Sequence, residues 1–146
     1  MKRKFFLLAA CLLFSSPTWA KKATKEIKGM TAEELTWVPN PEAPNDVSVA
    51  VVRGSMKKGP HAAFHKFRPG LVMENHTHSA DLHAVVISGT FVSGPEANPK
   101  TFGPGSYADV PGNVPHISKC EGTVPCILYI ETSGKFDMKP VKAAKK

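Results

Sequence analysis

No stretch of this chain keeps a strong helical hydrophobic period over a useful length, which argues against a helical or α/β core. Nor is any apolar run long enough to cross a bilayer. The most apolar segment, Phe5 to Phe14, is too short for a spanning helix, so no stable membrane insertion of the mature chain is expected. No internal repeat is present, so the chain reads as one domain. Acidic residues are few: 12 Asp and Glu stand against 19 Lys and Arg, a net charge of +7. Much of the excess lies at the ends, in Lys21, Lys22, Lys25 and Lys28 and then in Lys135, Lys139, Lys142, Lys145 and Lys146. Terminal lysine runs are ordinarily solvated tails. No strand combines basic residues with aromatics, so nucleic acid is not an expected partner.

The apolar run belongs to a leader. Lys2, Arg3 and Lys4 form a positive start, Phe5 to Phe14 an apolar middle, and Ser15 to Ala20 a small-residue end. That order predicts a signal peptide over residues 1–20, cut after Ala20, and an exported protein, periplasmic or secreted. A lipoprotein box, Leu8-Ala9-Ala10-Cys11, is the lesser reading. Cleavage there would leave too short an apolar region and would expose Leu12, Leu13 and Phe14. Residues 21–32 read as a charged, flexible lead-in, 33–138 as the folded domain and 139–146 as a basic tail.

Cysteine is scarce, with three in all, and only Cys120 and Cys126 follow the leader. Export places them in an oxidising compartment. They flank the turn-like Glu121-Gly122-Thr123-Val124-Pro125, so a disulfide across a hairpin is the preferred reading. Two buried free thiols are the alternative.

What the chain does have is many short apolar runs separated by Gly and Pro. Strand-like segments lie at Glu34–Pro39, Asp46–Val52, Ala62–Phe67, Met73–His78, His83–Val92, Ser106–Val110, Val114–Lys119 and Cys126–Thr132. In the second of these, Val47, Val49 and Val51 fall on one face. Gly89 marks a bend within the most apolar strand, and Gly94–Pro104 reads as loop. Short strands at regular spacing with Gly/Pro turns predict an all-β sandwich or barrel.

The sharpest chemical signal is His76-Thr77-His78. Two histidines at i and i+2 on a strand point to the same face, so both imidazoles can reach one metal ion. His116, from a distant strand, can complete a facial set. Imidazole suits Zn, Cu, Fe and Ni.

The surrounding residues resemble the two motifs of the cupin family. Gly70, His76, His78 and Gly89 match the first, and Gly105, Pro111 and His116 the second. Asn113 stands at that motif's second Gly position and Cys120 at its Asn position. The resemblance runs from Ala62 to Asp137 and is nearest to small, stand-alone cupins of poorly defined function. They share runs such as His76-Thr-His-Ser-Ala-Asp and Gly134-Lys-Phe-Asp. It implies an antiparallel double-stranded β-helix, or jelly-roll barrel, with one divalent transition metal: Fe, Zn, Ni, Cu or Mn, which the sequence does not distinguish. Exposed sheet edges leave room for a homodimer.

One departure matters. The family's Glu ligand falls on Leu82 or His83, and neither is a carboxylate. Four readings of the site stay open: three histidines alone, a fourth ligand or supporting partner from His83, Asp81 swinging in from its turn, or Glu74, two residues before His76. His65 and Phe67 share a face that, by the resemblance, points into the barrel. Phe91, Tyr107, Tyr129 and Trp37 are further candidate pocket walls, and His61 is expected to be exposed. A three-His site is one charge unit more positive than a two-His-one-carboxylate triad, which favours an anionic, chelating small-molecule ligand. Some three-His cupins are dioxygenases that cleave β-diketones. An exported Fe(II) dioxygenase-like enzyme, a non-catalytic metal-dependent ligand-binding or sensing module, and a degenerate structural cupin are the three readings. The intact histidine trio argues against the last.

Overall fold

The computed structural model describes residues 26–141. The leader 1–20 with its Cys11 box, the start of the lead-in and the tail residues 142–146 lie outside the described residues. Residues 26–31 carry no regular structure and are exposed; a single 3-10 turn follows at Ala32–Glu34.

Eleven strands make the body: β1 (Val38–Pro39), β2 (Val47–Gly54), β3 (His61–Phe67), β4 (Val72–Thr77), β5 (Leu82–Ser88), β6 (Thr90–Gly94), β7 (Lys100–Phe102), β8 (Tyr107–Val110), β9 (His116–Glu121), β10 (Cys126–Thr132) and β11 (Lys139–Pro140). They form two antiparallel sheets, ordered β1-β2-β3-β10-β5-β8 and β11-β4-β9-β6-β7. This is a jelly-roll barrel. The expected alternation holds in the central strands: His61, Ala63, His65 and Phe67 of β3 and Cys126, Leu128, Ile130 and Thr132 of β10 all point inward. Inward Leu82, Ala84 and Val86 of β5 pack with them, and Phe91 joins from the other sheet. Burying a side chain of this size contributes about 1.5–3 kcal/mol.

Several local expectations change. The apolar run His83–Val92 is two strands, not one bent strand. Gly89, at φ 80°, turns the chain from β5 in one sheet to β6 in the other. A Cβ there would stand 2.8 Å from both the Cys126 Cα and the Pro125 carbonyl oxygen, so the corner has no space for a side chain. Val51 keeps the register of Val47 and Val49, opposite Ala63, yet is exposed; a bulge follows it, before Arg53. The Gly94–Pro104 segment contains the short strand β7, paired to β6. Of the Glu34–Pro39 run only β1 pairs.

Cys120 and Cys126 form the expected disulfide across the β9–β10 turn, with Cα atoms 5.7 Å apart. The C-terminal segment is anchored to the domain as far as Val141. Phe136 N–H donates to the Met56 carbonyl, β11 pairs with β4, and Val141 N–H donates to the Asn75 carbonyl. The basic tail therefore begins inside a strand, laid along the edge that carries the histidines.

Candidate metal centre

His76 lies near the end of β4, His78 just beyond it, and His116 opens β9. The strands pair antiparallel with His76 directly opposite His116. The ring centres are 4.3 Å apart for His76 and His116, 5.1 Å for His76 and His78, and 5.2 Å for His78 and His116. All three are buried, and their ligand nitrogens lie within 4.8 Å of one another. Among the described residues no other side chain capable of ligation joins this cluster.

Each imidazole is held by its other nitrogen. The Nδ1 of His76 donates to the Glu74 carbonyl at 2.7 Å, that of His116 to the Val114 carbonyl at 2.9 Å, and that of His78 to the Asp137 carbonyl at 2.5 Å. A carbonyl oxygen only accepts, so each Nδ1 carries the proton. Each neutral ring then keeps its free lone pair on Nε2. Burial disfavours the imidazolium form: it holds His76 and His116 below the usual histidine range and His78 down to about 4. Three neutral nitrogen donors with fixed tautomers fit a divalent transition metal.

The turn before β9 supports the same geometry. Asn113 adopts φ 62°, the left-handed conformation that Gly would supply at that motif position and that Asn tolerates. Its N–H donates to the His78 carbonyl at 2.7 Å, tying the second motif to the first.

A cavity of about 50 Å³ opens between the sheets at the trio. Its walls are mainly apolar, among them Phe67, Phe91, Leu128 and Phe136. His65 also lines it. Leu82 lies in the wall and is buried, so the family's carboxylate position is filled by an alkyl side chain.

The other candidates go elsewhere. His83 neighbours Leu82 on a strand and so points out of the barrel, beside the Tyr107 hydroxyl and Asp109, each at 3.1 Å. Tyr107 is accordingly a surface residue, 58% exposed, and not a wall of this cavity. Asp81 accepts from the Gly112 N–H at 2.7 Å and shapes a turn. Glu74 is exposed because β4 bulges: Met73 pairs with Ser118 and His76 with His116, three steps against two. The bulge puts Met73 and His76 in the cavity wall and turns the Glu74 side chain out, leaving only its carbonyl to serve the site. Tyr129 sits on the outer face, packed against Phe64 with its hydroxyl on Glu131. Trp37 packs under the Lys66 ammonium. His61, expected to be exposed, is buried, its Nδ1 against the Gly59 and Gly134 carbonyls.

Phe136 and Asp137 were not singled out as site residues from the sequence. The Phe136 ring lies tilted beside the His78 ring, with centres 5.3 Å apart, and Asp137 holds His78 through its carbonyl. The only sequence signal for them was the shared Gly134-Lys-Phe-Asp run.

A family described as a domain of unknown function (DUF4437) matches residues 19–145. The chain belongs to this family. Among solved structures the protein is similar to an RmlC-like cupin from Ralstonia eutropha, at 17% identity over 81% of this chain and 78% of that one, with a TM-score of 0.64. It is similar to the polyketide cyclase RemF from Streptomyces resistomycificus, at 12% identity over 82% and 89%, with a TM-score of 0.67. KdgF from Halomonas sp. matches at 18% identity over 74% and 94%, with a TM-score of 0.58. At such identities the likeness shows the fold alone: this family member has the cupin-type double-stranded β-helix fold. No curated protein matches the chain. No helix among the described residues is long and apolar enough to cross a membrane.

Proposed function

We propose that the protein is an exported cupin that binds one divalent transition metal through His76, His78 and His116 and acts on a small anionic, chelating substrate, as a non-heme dioxygenase does. The observation that carries this reading is the set of three Nδ1–H donations to main-chain carbonyls, which leaves three Nε2 lone pairs for one ion. When bound, the metal would supply a Lewis-acidic centre with open positions for substrate oxygen atoms. Fe, Zn, Ni, Cu and Mn remain candidates for the native ion, with Fe(II) the choice for oxygen chemistry. Without a carboxylate at Leu82, the three ligands contribute no charge to offset the ion. That favours an enolate, β-diketonate or carboxylate as ligand. Phe67, Phe91, Leu128 and Phe136 keep the cavity apolar, which strengthens the charge interaction at its polar end.

Fe(II)-loaded protein, compared with Zn(II)-loaded protein, should consume oxygen with at least one member of a panel of β-dicarbonyls and phenolic acids. Binding of panel members by either form without turnover would replace the enzyme reading by a metal-dependent binding module.

A further inference from the structure

Three buried side-chain atoms among the described residues lack a hydrogen-bond partner: His61 Nε2, His65 Nε2 and Asn75 Oδ1. Only His65 among them lines the cavity at the histidine trio. Two other polar atoms in that wall are committed. The Ser93 hydroxyl donates to the Ile117 carbonyl, and Asn40 Oδ1 accepts from the Glu42 N–H. An unpaired buried polar nitrogen is costly relative to a paired one. Such a group in the wall of a small, mainly apolar cavity calls for a partner from outside the chain.

The placement of His65 gives that partner a direction. His65 is on β3 of the first sheet, whereas the trio lies on β4 and β9 of the second. Phe136 bridges them, with its ring 5.4 Å from His65 and 5.3 Å from His78. Phe67 flanks His65 on its other side. The cavity wall thus carries both a cluster of lone pairs and one unpaired imidazole, with the Phe136 ring beside each.

We infer that His65 is the second polar end of a single ligand subsite: a small carboxylate or enolate bound at the trio would present a hydroxyl or carbonyl oxygen, a few bonds away, to the His65 imidazole. This rests on the reading that the trio holds a metal. His65 is then a positioning residue that selects bifunctional oxygen compounds over simple acids.

The test uses Co(II)-loaded mature protein, with the visible absorption of the metal as readout and two probe pairs: butyrate with 4-hydroxybutyrate, and propionate with 3-hydroxypropionate. In the wild type, at least one hydroxy acid should bind about tenfold tighter than its parent acid. His65→Leu should take up one equivalent of cobalt and lose the hydroxyl's advantage, so that each hydroxy acid binds no tighter than its parent acid. His65→Gln, which keeps a hydrogen-bonding group, should retain part of it. Removing an unpaired nitrogen should also leave the melting temperature of His65→Leu equal to or above that of the wild type. The inference is overturned by an absent hydroxyl advantage in the wild type, by an equal advantage in His65→Leu, or by a loss of folding in both variants. A wild type that takes up no cobalt overturns the metal reading itself, a separate and distinguishable failure.

Discussion

His78 Nδ1 and the Asp137 carbonyl oxygen are 2.5 Å apart although the residues are separated by 59 positions in the chain. The contact makes the C-terminal segment part of the candidate metal centre. The Asp137 carboxylate locks it there, accepting from the Ser79 N–H at 2.7 Å and the Ser79 hydroxyl at 2.6 Å, with Lys139 alongside. Asp137→Ala removes the clamp and keeps the carbonyl. Metal affinity should fall about 10–100-fold, the range for losing a group that orients a ligand. Competition with a chromophoric chelator measures this. An affinity equal to wild type would show that the carbonyl needs no anchor.

Leu82 faces the cavity, and His83 faces solvent beside Asp109. Leu82→Glu should therefore tighten metal binding by at least tenfold and lower the stability of the metal-free protein, which must bury an unpaired carboxyl group. His83→Ala should change neither. The reverse pattern would mean that the fourth ligand comes from His83 after all.

The disulfide closes a short loop, since its cysteines are 6 positions apart. Loop-closure entropy assigns such a bridge about 2 kcal/mol. Thiol titration of unfolded, unreduced mature protein should find almost no free thiol. Reduction should lower the melting temperature without abolishing folding, because the two-sheet core does not depend on it.

Acid should destabilise the metal-free protein through its buried histidines. Burial depresses His65 to about 3 and His78 to about 4. In the unfolded chain both titrate near 6.5, so from there downward the unfolded state binds more protons than the folded one. Stability is then fully present above pH ~6.5 and falls progressively as pH drops toward the folded values. Melting temperatures of metal-free protein at pH 7.5, 6.0 and 5.0 should decline in that order, and His65→Leu should decline less. A flat profile for the wild type would contradict neutral burial.

The strands, the cupin motifs and the disulfide were legible because each rests on a local signal: alternation, Gly/Pro spacing, or a short cysteine separation. What was not legible rests on register. The bulge in β4 turned the Glu74 side chain outward. A bulge inserts one residue into the period of two and leaves no mark in composition. Gly89 was visible as a bend, but nothing local says that a bend carries the chain into the other sheet. Phe136 and Asp137 reach the site by a distant return of the chain, which no short window of sequence contains.

The claim on which the rest depends is that one metal ion sits on His76, His78 and His116. Elemental analysis of untagged mature protein, wild type and the His76→Ala, His78→Ala and His116→Ala variants, purified alike and confirmed folded by circular dichroism, tests it directly. The account predicts about one transition-metal ion per wild-type chain and a large loss in every variant. Equal metal content in all four proteins would contradict it.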